Sequence, residues 1–138
     1  MADIPIDTNV IVRFLVEDPE TIDVKFRGIY SFFTKLESGK LSVHLPELVL
    51  FQTYFVLTSY YGVPSPEAAE KLATLLMLPG IKMHHKEIVS DCLKRLQQKK
   101  QDIVDAYLLA WAENKGLPGV YSFDKGIATE TVDVLPVR

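Results

Sequence analysis

The sequence predicts an α/β domain, a three-layer sandwich in which a mostly parallel central sheet of about five strands is flanked by helices. Three observations point there. Short apolar runs that suit strands alternate with longer segments whose apolar residues repeat at helical spacing. Glycine, proline and aspartate stand in the breaks, where helices start and stop. A length of 138 residues suits one domain, 1–138, able to bury about two-thirds of the surface its unfolded form exposes. Strands that alternate with helices pair in parallel, with both sheet faces covered.

The first strand is read near Ile4–Asp7. The apolar run beyond it holds Val10, Ile11, Val12, Phe14 and Leu15, so Asp7 lies where the chain enters the interior, and a charge there needs a partner. "EDPETIDVKFRGIYSFFTKLESGK" reads as a helix capped by Asp18, with Pro19 at its first position and Gly39 after its end. Ile22, Phe26, Ile29, Phe33 and Leu36 form one apolar stripe along it. "KLSVHL" reads as a second strand, and Pro46 to Tyr61 as a helix closed by Gly62 and apolar on most sides.

"VPSPEAAEKLATLLMLPG" carries another helix, with Ser65 as cap and Pro66 at its first position, and "IKMHH" makes a third strand. "KEIVSDCLKRLQQKK" places Ile88, Cys92 and Leu96 at helical spacing and ends basic. "DIVDAYLLAWAENKG" sets Val104, Leu108 and Trp111 on one side, with Gly116 beyond its end. "GVYSF", bounded by Gly119 and Asp124, reads as a fourth strand. "TVDVLPV" reads as a fifth, at an edge because Pro136 lacks a donor. The chain shows no internal repeat, low-complexity tract or linker.

Hydrophobic residues at 48% and charged residues at 24% exclude a disordered chain. A net charge of −3 excludes a whole-molecule attraction to nucleic acid but leaves room for a local basic patch. The single cysteine, Cys92, excludes an intrachain disulfide and a cysteine-based zinc site. The N-terminus lacks the basic flank and apolar core of a signal peptide, and the apolar stretch Leu48 to Tyr61 is shorter than the roughly 20 residues that span a bilayer. A cytoplasmic protein without membrane contact is expected.

Ligand sites in parallel sheets form at the C-terminal ends of the strands. Asp7 ends the first strand, Asp124 ends the fourth, and Asp105 begins a long helix. Carboxylates sharing a site resist common ionisation unless protons or cations intervene. Mg²⁺ or Mn²⁺ suits such oxygen ligands and promotes phosphoryl chemistry. Each aspartate also has a local use, in an Asx-turn or in a helix's first turn, and spacing alone leaves both readings open.

"IDTNVIVRFL", "DAYLLAWAENKG" and "VYSFDKG", closing with "VDVLPV", resemble in order the PIN-domain family, in particular the VapC-like toxin ribonucleases. The resemblance implies an α/β sandwich with an acidic pocket that binds Mg²⁺ or Mn²⁺ and hydrolyses RNA phosphodiesters. It assigns Asp7, Asp105 and Asp124 to three of the family's four acidic positions. Asn9 matches the asparagine of the opening motif, and Ser122 matches the small hydroxyl residue before the last acid. A small antitoxin protein and a homodimer are further implications.

The fourth acidic position departs from the pattern. The family's glutamate aligns with Gln52 in "QTYFVLTSYYG", and an amide can accept a hydrogen bond but cannot act as a base. Among apolar neighbours it faces a polar pocket or bonds to another buried group. Glu47 lies five residues earlier, off the same helical face, and reads as a first-turn acid. Asp102, three residues before Asp105, either neighbours it in the pocket or caps the helix, and the cap is favoured.

Arg13 can contact RNA phosphate or pair with a surface acid. Adjacent on one strand, His84 and His85 point to opposite faces and make poor joint ligands. Lys94, Arg95, Lys99 and Lys100 suit a solvated, dipole-complementing helix end more than an RNA contact. Tyr54, Tyr60, Tyr61 and Trp111 suit core or dimer interface more than base stacking. Three functions follow in order: a metal-dependent toxin-type endoribonuclease; a PIN-like binding module whose site Gln52 has weakened; and a dehalogenase-like phosphatase, which would need an aspartate where Asn9 stands.

Overall fold

The chain turns from strand to helix at a single residue. In the structure, a computed structural model that describes residues 3–138, β1 (Ile4–Pro5) leads to Asp7, whose extended backbone caps α1 (Thr8–Val16). This helix lies where the sequence reads only as an apolar run. The helix expected to begin at Asp18 begins at Gly28, as α2 (Gly28–Ser38). Asp18 instead closes a turn, its Oδ1 accepting the Glu20 N–H at 2.9 Å and its carbonyl accepting from Thr21 and Ile22. Asp23 then caps a short 3-10 turn at Val24–Phe26. The predicted stripe still packs inward, with Ile22, Ile29, Phe33 and Leu36 buried and Phe26 half-buried against them.

Gly39 ends α2 at φ 77°, a conformation that favours glycine. β2 (Val43–His44) precedes α3 (Glu47–Phe55), which runs on through a wider π-helical turn at Val56–Tyr60. α4 (Ser65–Leu76) begins after Pro64, so Ser65 is not its cap. The Ser65 hydroxyl is hydrogen-bonded to that of Tyr54, which ties α4 to α3. β3 (Ile81–Lys82), α5 (Lys86–Gln98) and α6 (Ile103–Asn114) follow, then β4 (Gly119–Tyr121) and β5 (Asp133–Leu135).

All strand pairs are parallel, as expected, but they do not form one five-stranded sheet. β1, β2 and β3 pair in that order, with Ile4 opposite Val43 and Val43 opposite Ile81. β4 and β5 form a separate ladder, with Val120 opposite Val134. Proline chemistry explains the gap. The Ile6 N–H donates to the His44 carbonyl, and amide direction alternates along a strand, so residue 5 turns its backbone edge away from β2. That residue is Pro5, which has no N–H to offer a strand on β1's free side.

The core gathers Ile11, Leu36, Leu45, Leu50, Leu72, Ile81 and Leu93, all fully buried, with α4, α5 and α6 packed successively. A smaller cluster of Leu109, Ala112 and Val132 joins α6 to the β4–β5 ladder. Gly80 lets the chain pass tightly under the end of α2, since a Cβ there would stand 2.2 Å from the Leu41 carbonyl oxygen. Among the described residues no helix is long and apolar enough to cross a membrane.

Candidate functional site

The structure arranges the predicted site residues in two groups. The first forms where β1 meets α1. Asp7 Oδ1 accepts the Thr8 N–H at 2.7 Å, and Thr8 Oγ1, itself buried, donates to Gln52 Oε1 at 2.7 Å. Gln52 therefore has a buried partner, while its own side chain is exposed rather than enclosed among apolar neighbours. Asn9 is exposed beside Asp7.

The second group lies at the start of α6. Asp102 is the cap, its Oδ1 accepting the N–H of Val104 at 2.7 Å and of Asp105 at 3.3 Å. Asp105 follows in the first turn, half-buried. Beyond β4, Ser122 Oγ accepts the Asp124 N–H at 2.9 Å, and Asp124 Oδ1 accepts the Gly126 N–H at 2.9 Å. Both bonds shape the turn that carries Asp124 into a short 3-10 helix at Lys125–Ile127. Asp102, Asp105 and Asp124 line one open cleft of about 410 Å³. Asp7 does not line it.

The electrostatics follow from this crowding. Burial pushes the Asp105 carboxyl above its ordinary range, and the negative charges of Asp102 and Asp124 push it further the same way. Lys99 and Lys100, both exposed just past the end of α5, line the same cleft. Arg95 lines the cleft too, but it is engaged by Asp91 and Glu113.

The remaining candidates have structural partners. Glu47 stands in the first turn of α3, accepting from the Tyr107 hydroxyl and hydrogen-bonded to His85 Nδ1 at 3.2 Å. Arg13 pairs with Glu17 at 3.2 Å and lies over the Phe26 ring. Tyr54 is buried, Trp111 packs edge-on against His85, and Tyr60 is exposed.

Among the described residues, no three carboxylate, imidazole or thiolate groups surround one metal position. The donor chemistry nonetheless suits a hard divalent cation. Among the described residues, Asp105 accepts no hydrogen bond through its side chain, while Asp7 and Asp124 each engage only Oδ1. Mg²⁺ is commonly held by one or two carboxylates, with waters and substrate phosphates completing its shell. Asp105 and Asp124 meet that requirement from one cleft. A family model described as the PIN domain matches residues 4–129 of the chain. No curated protein matches it.

Proposed function

The chain belongs to the PIN-domain family, and we propose that it is a VapC-like toxin endoribonuclease that hydrolyses RNA phosphodiesters with Mg²⁺ or Mn²⁺. PIN domains are commonly nucleases and generally use divalent metal ions, which favours this reading over a binding module with a lost active site. The observation that carries it is the pairing of Asp105 and Asp124 across one cleft rimmed by Lys99 and Lys100.

In this account Asp105 and Asp124 hold the cation, with Asp7 at the end of β1 as the third acid. Bound there, the cation supplies activation of water and neutralisation of charge at the phosphoryl group. Lys99 and Lys100 attract the RNA backbone to a surface that would otherwise repel it. Ser122 holds the turn that aims Asp124. Gln52, its carbonyl fixed by Thr8, keeps its NH₂ group for a water or phosphate oxygen but takes no proton. A small antitoxin and a second copy of the chain are the proposed partners, in the cytoplasm. The exposed side chains of Leu48, Phe55 and Tyr60 offer apolar surface for such contacts.

The test is cleavage of mixed single-stranded RNA by purified protein in Mn²⁺, beside Asp7→Asn prepared identically. Cleavage that needs Mn²⁺ and is lost in Asp7→Asn is expected. Cleavage that survives in EDTA or in Asp7→Asn overturns the mechanism.

A further inference from the structure

Asn9, two residues beyond Asp7, also borders a separate cleft of about 450 Å³ between α1 and the start of α2. Arg13, Lys25, Phe26, Gly28 and Phe32 line it, and among the described residues no carboxylate does, although the chain carries more acids than bases. The guanidinium carbon of Arg13 sits 3.5 Å from the Phe26 ring centroid, and the Lys25 ammonium sits 5.0 Å from it. Stacking fixes the plane of the guanidinium. Among the described residues only Nη1 is engaged, by Glu17 at 3.2 Å, so the other donors remain for a bidentate contact with phosphate. The half-buried ring of Phe32 adds an apolar wall. At Gly28 an added Cβ would meet nothing within 4 Å, so the wall there is open.

Two cations beside the Phe26 ring, in a cleft of ligand-binding size with Phe32 as a second aromatic wall, match a nucleotide in charge and shape. We propose that this cleft is a nucleotide subsite. It holds one unpaired nucleotide of the RNA next to the scissile bond, with its phosphate on Arg13 and Lys25 and its base against Phe32, and so sets sequence preference. The assignment rests on the ribonuclease reading for its substrate, but binding here needs no cleavage.

The test follows the amide and Arg13 Nε resonances of the ¹⁵N-labelled full chain in EDTA, titrated with 5′-mononucleotides, a short single-stranded RNA, or inorganic phosphate. Shifts centred on Arg13, Lys25, Phe26, Gly28 and Phe32, with nucleotides binding at least fivefold tighter than phosphate, are expected. Lys25→Glu should weaken nucleotide binding at least fivefold. Gly28→Leu should abolish it by filling the cleft, without lowering the thermal midpoint, because leucine is the better helix former.

Shifts centred elsewhere, equal binding of phosphate alone, or full binding in folded Gly28→Leu would each overturn the subsite. Nucleotide binding here by a chain that cleaves no RNA would count against the ribonuclease reading alone. RNA cleavage with unchanged site preference in both variants would count against the subsite alone.

Discussion

Thr8 and Gln52, 44 positions apart in the chain, are joined side chain to side chain at 2.7 Å, so the first turn of α1 is bonded directly to α3. The bond orients the one family position at which this chain lacks an acid. Thr8→Val removes a buried donor, while the exposed Gln52 amide can turn to water. The expected loss is about 1 kcal/mol, read by urea unfolding. Gln52→Glu keeps an acceptor for Thr8 and adds a negative charge near Asp7. It should raise both Mn²⁺ affinity and cleavage rate. Unchanged Mn²⁺ affinity would place position 52 outside the metal site.

Glu113 supplies a pH dependence. The hydrogen bond from Arg95 holds its carboxyl below the usual range, burial opposes that, and the charge of Arg95 and the Thr131 hydroxyl reinforce it. A carboxylate depressed on folding stabilises the protein above its unfolded pKa, and the gain fades as pH falls through the folded value. Glu113→Gln should therefore lower the thermal midpoint at neutral pH, and the difference from the parent should close as pH falls through the folded value. A difference that stays constant with pH would remove the charge of Glu113 from the explanation.

The thiol of Cys92 should be inert in the folded protein. It is fully buried, its Sγ donates to the Ile103 carbonyl, and burial, aided by Asp91, pushes its pKa up to about 12. Only the thiolate reacts. Labelling by a thiol reagent at neutral pH should thus run about a thousandfold or more below a free cysteine's rate, and should rise together with urea unfolding. Rapid labelling of the native chain would contradict this burial.

Gly80 tests the seam between α2 and β3. An added methyl group would collide with backbone, at 2.2 Å from the Leu41 oxygen and 2.8 Å from Leu36 Cα, and backbone cannot turn aside as a side chain does. Gly80→Ala should lose at least about 2 kcal/mol in urea unfolding. By contrast Gly28→Ala, with open space at its Cβ, should lose none.

The sequence reading succeeded where one local signal decides the structure. Asp102 has a helix after it and capping geometry of its own, and Gly39 terminates α2 as its position suggested. It assigned no element where two signals compete. Val10, Ile11 and Val12 are β-branched, but the cap at Asp7 and the burial of Ile11 and Val12 go with a helix there. Around Asp18 the apolar stripe correctly identified the buried face, yet periodicity cannot reveal that a turn and a 3-10 segment interrupt the helix. The split sheet was hidden because pairing depends on which edge Pro5 presents, a matter of register. For the site, residue type marked the acids. That Asp105 and Asp124 share a cleft with Lys99 and Lys100 depends on long-range packing that no local pattern carries.

In the proposed mechanism Asp105 and Asp124 hold one divalent cation between them. The most direct measurement is Mn²⁺ binding, followed by electron paramagnetic resonance of the free ion, for the parent chain, Asp105→Asn and Asp124→Asn. Asparagine preserves size and can accept the Gly126 N–H as Asp124 does, so both variants should fold. Each is expected to weaken Mn²⁺ binding at least tenfold. Folded variants that both bind Mn²⁺ as tightly as the parent would contradict the claim.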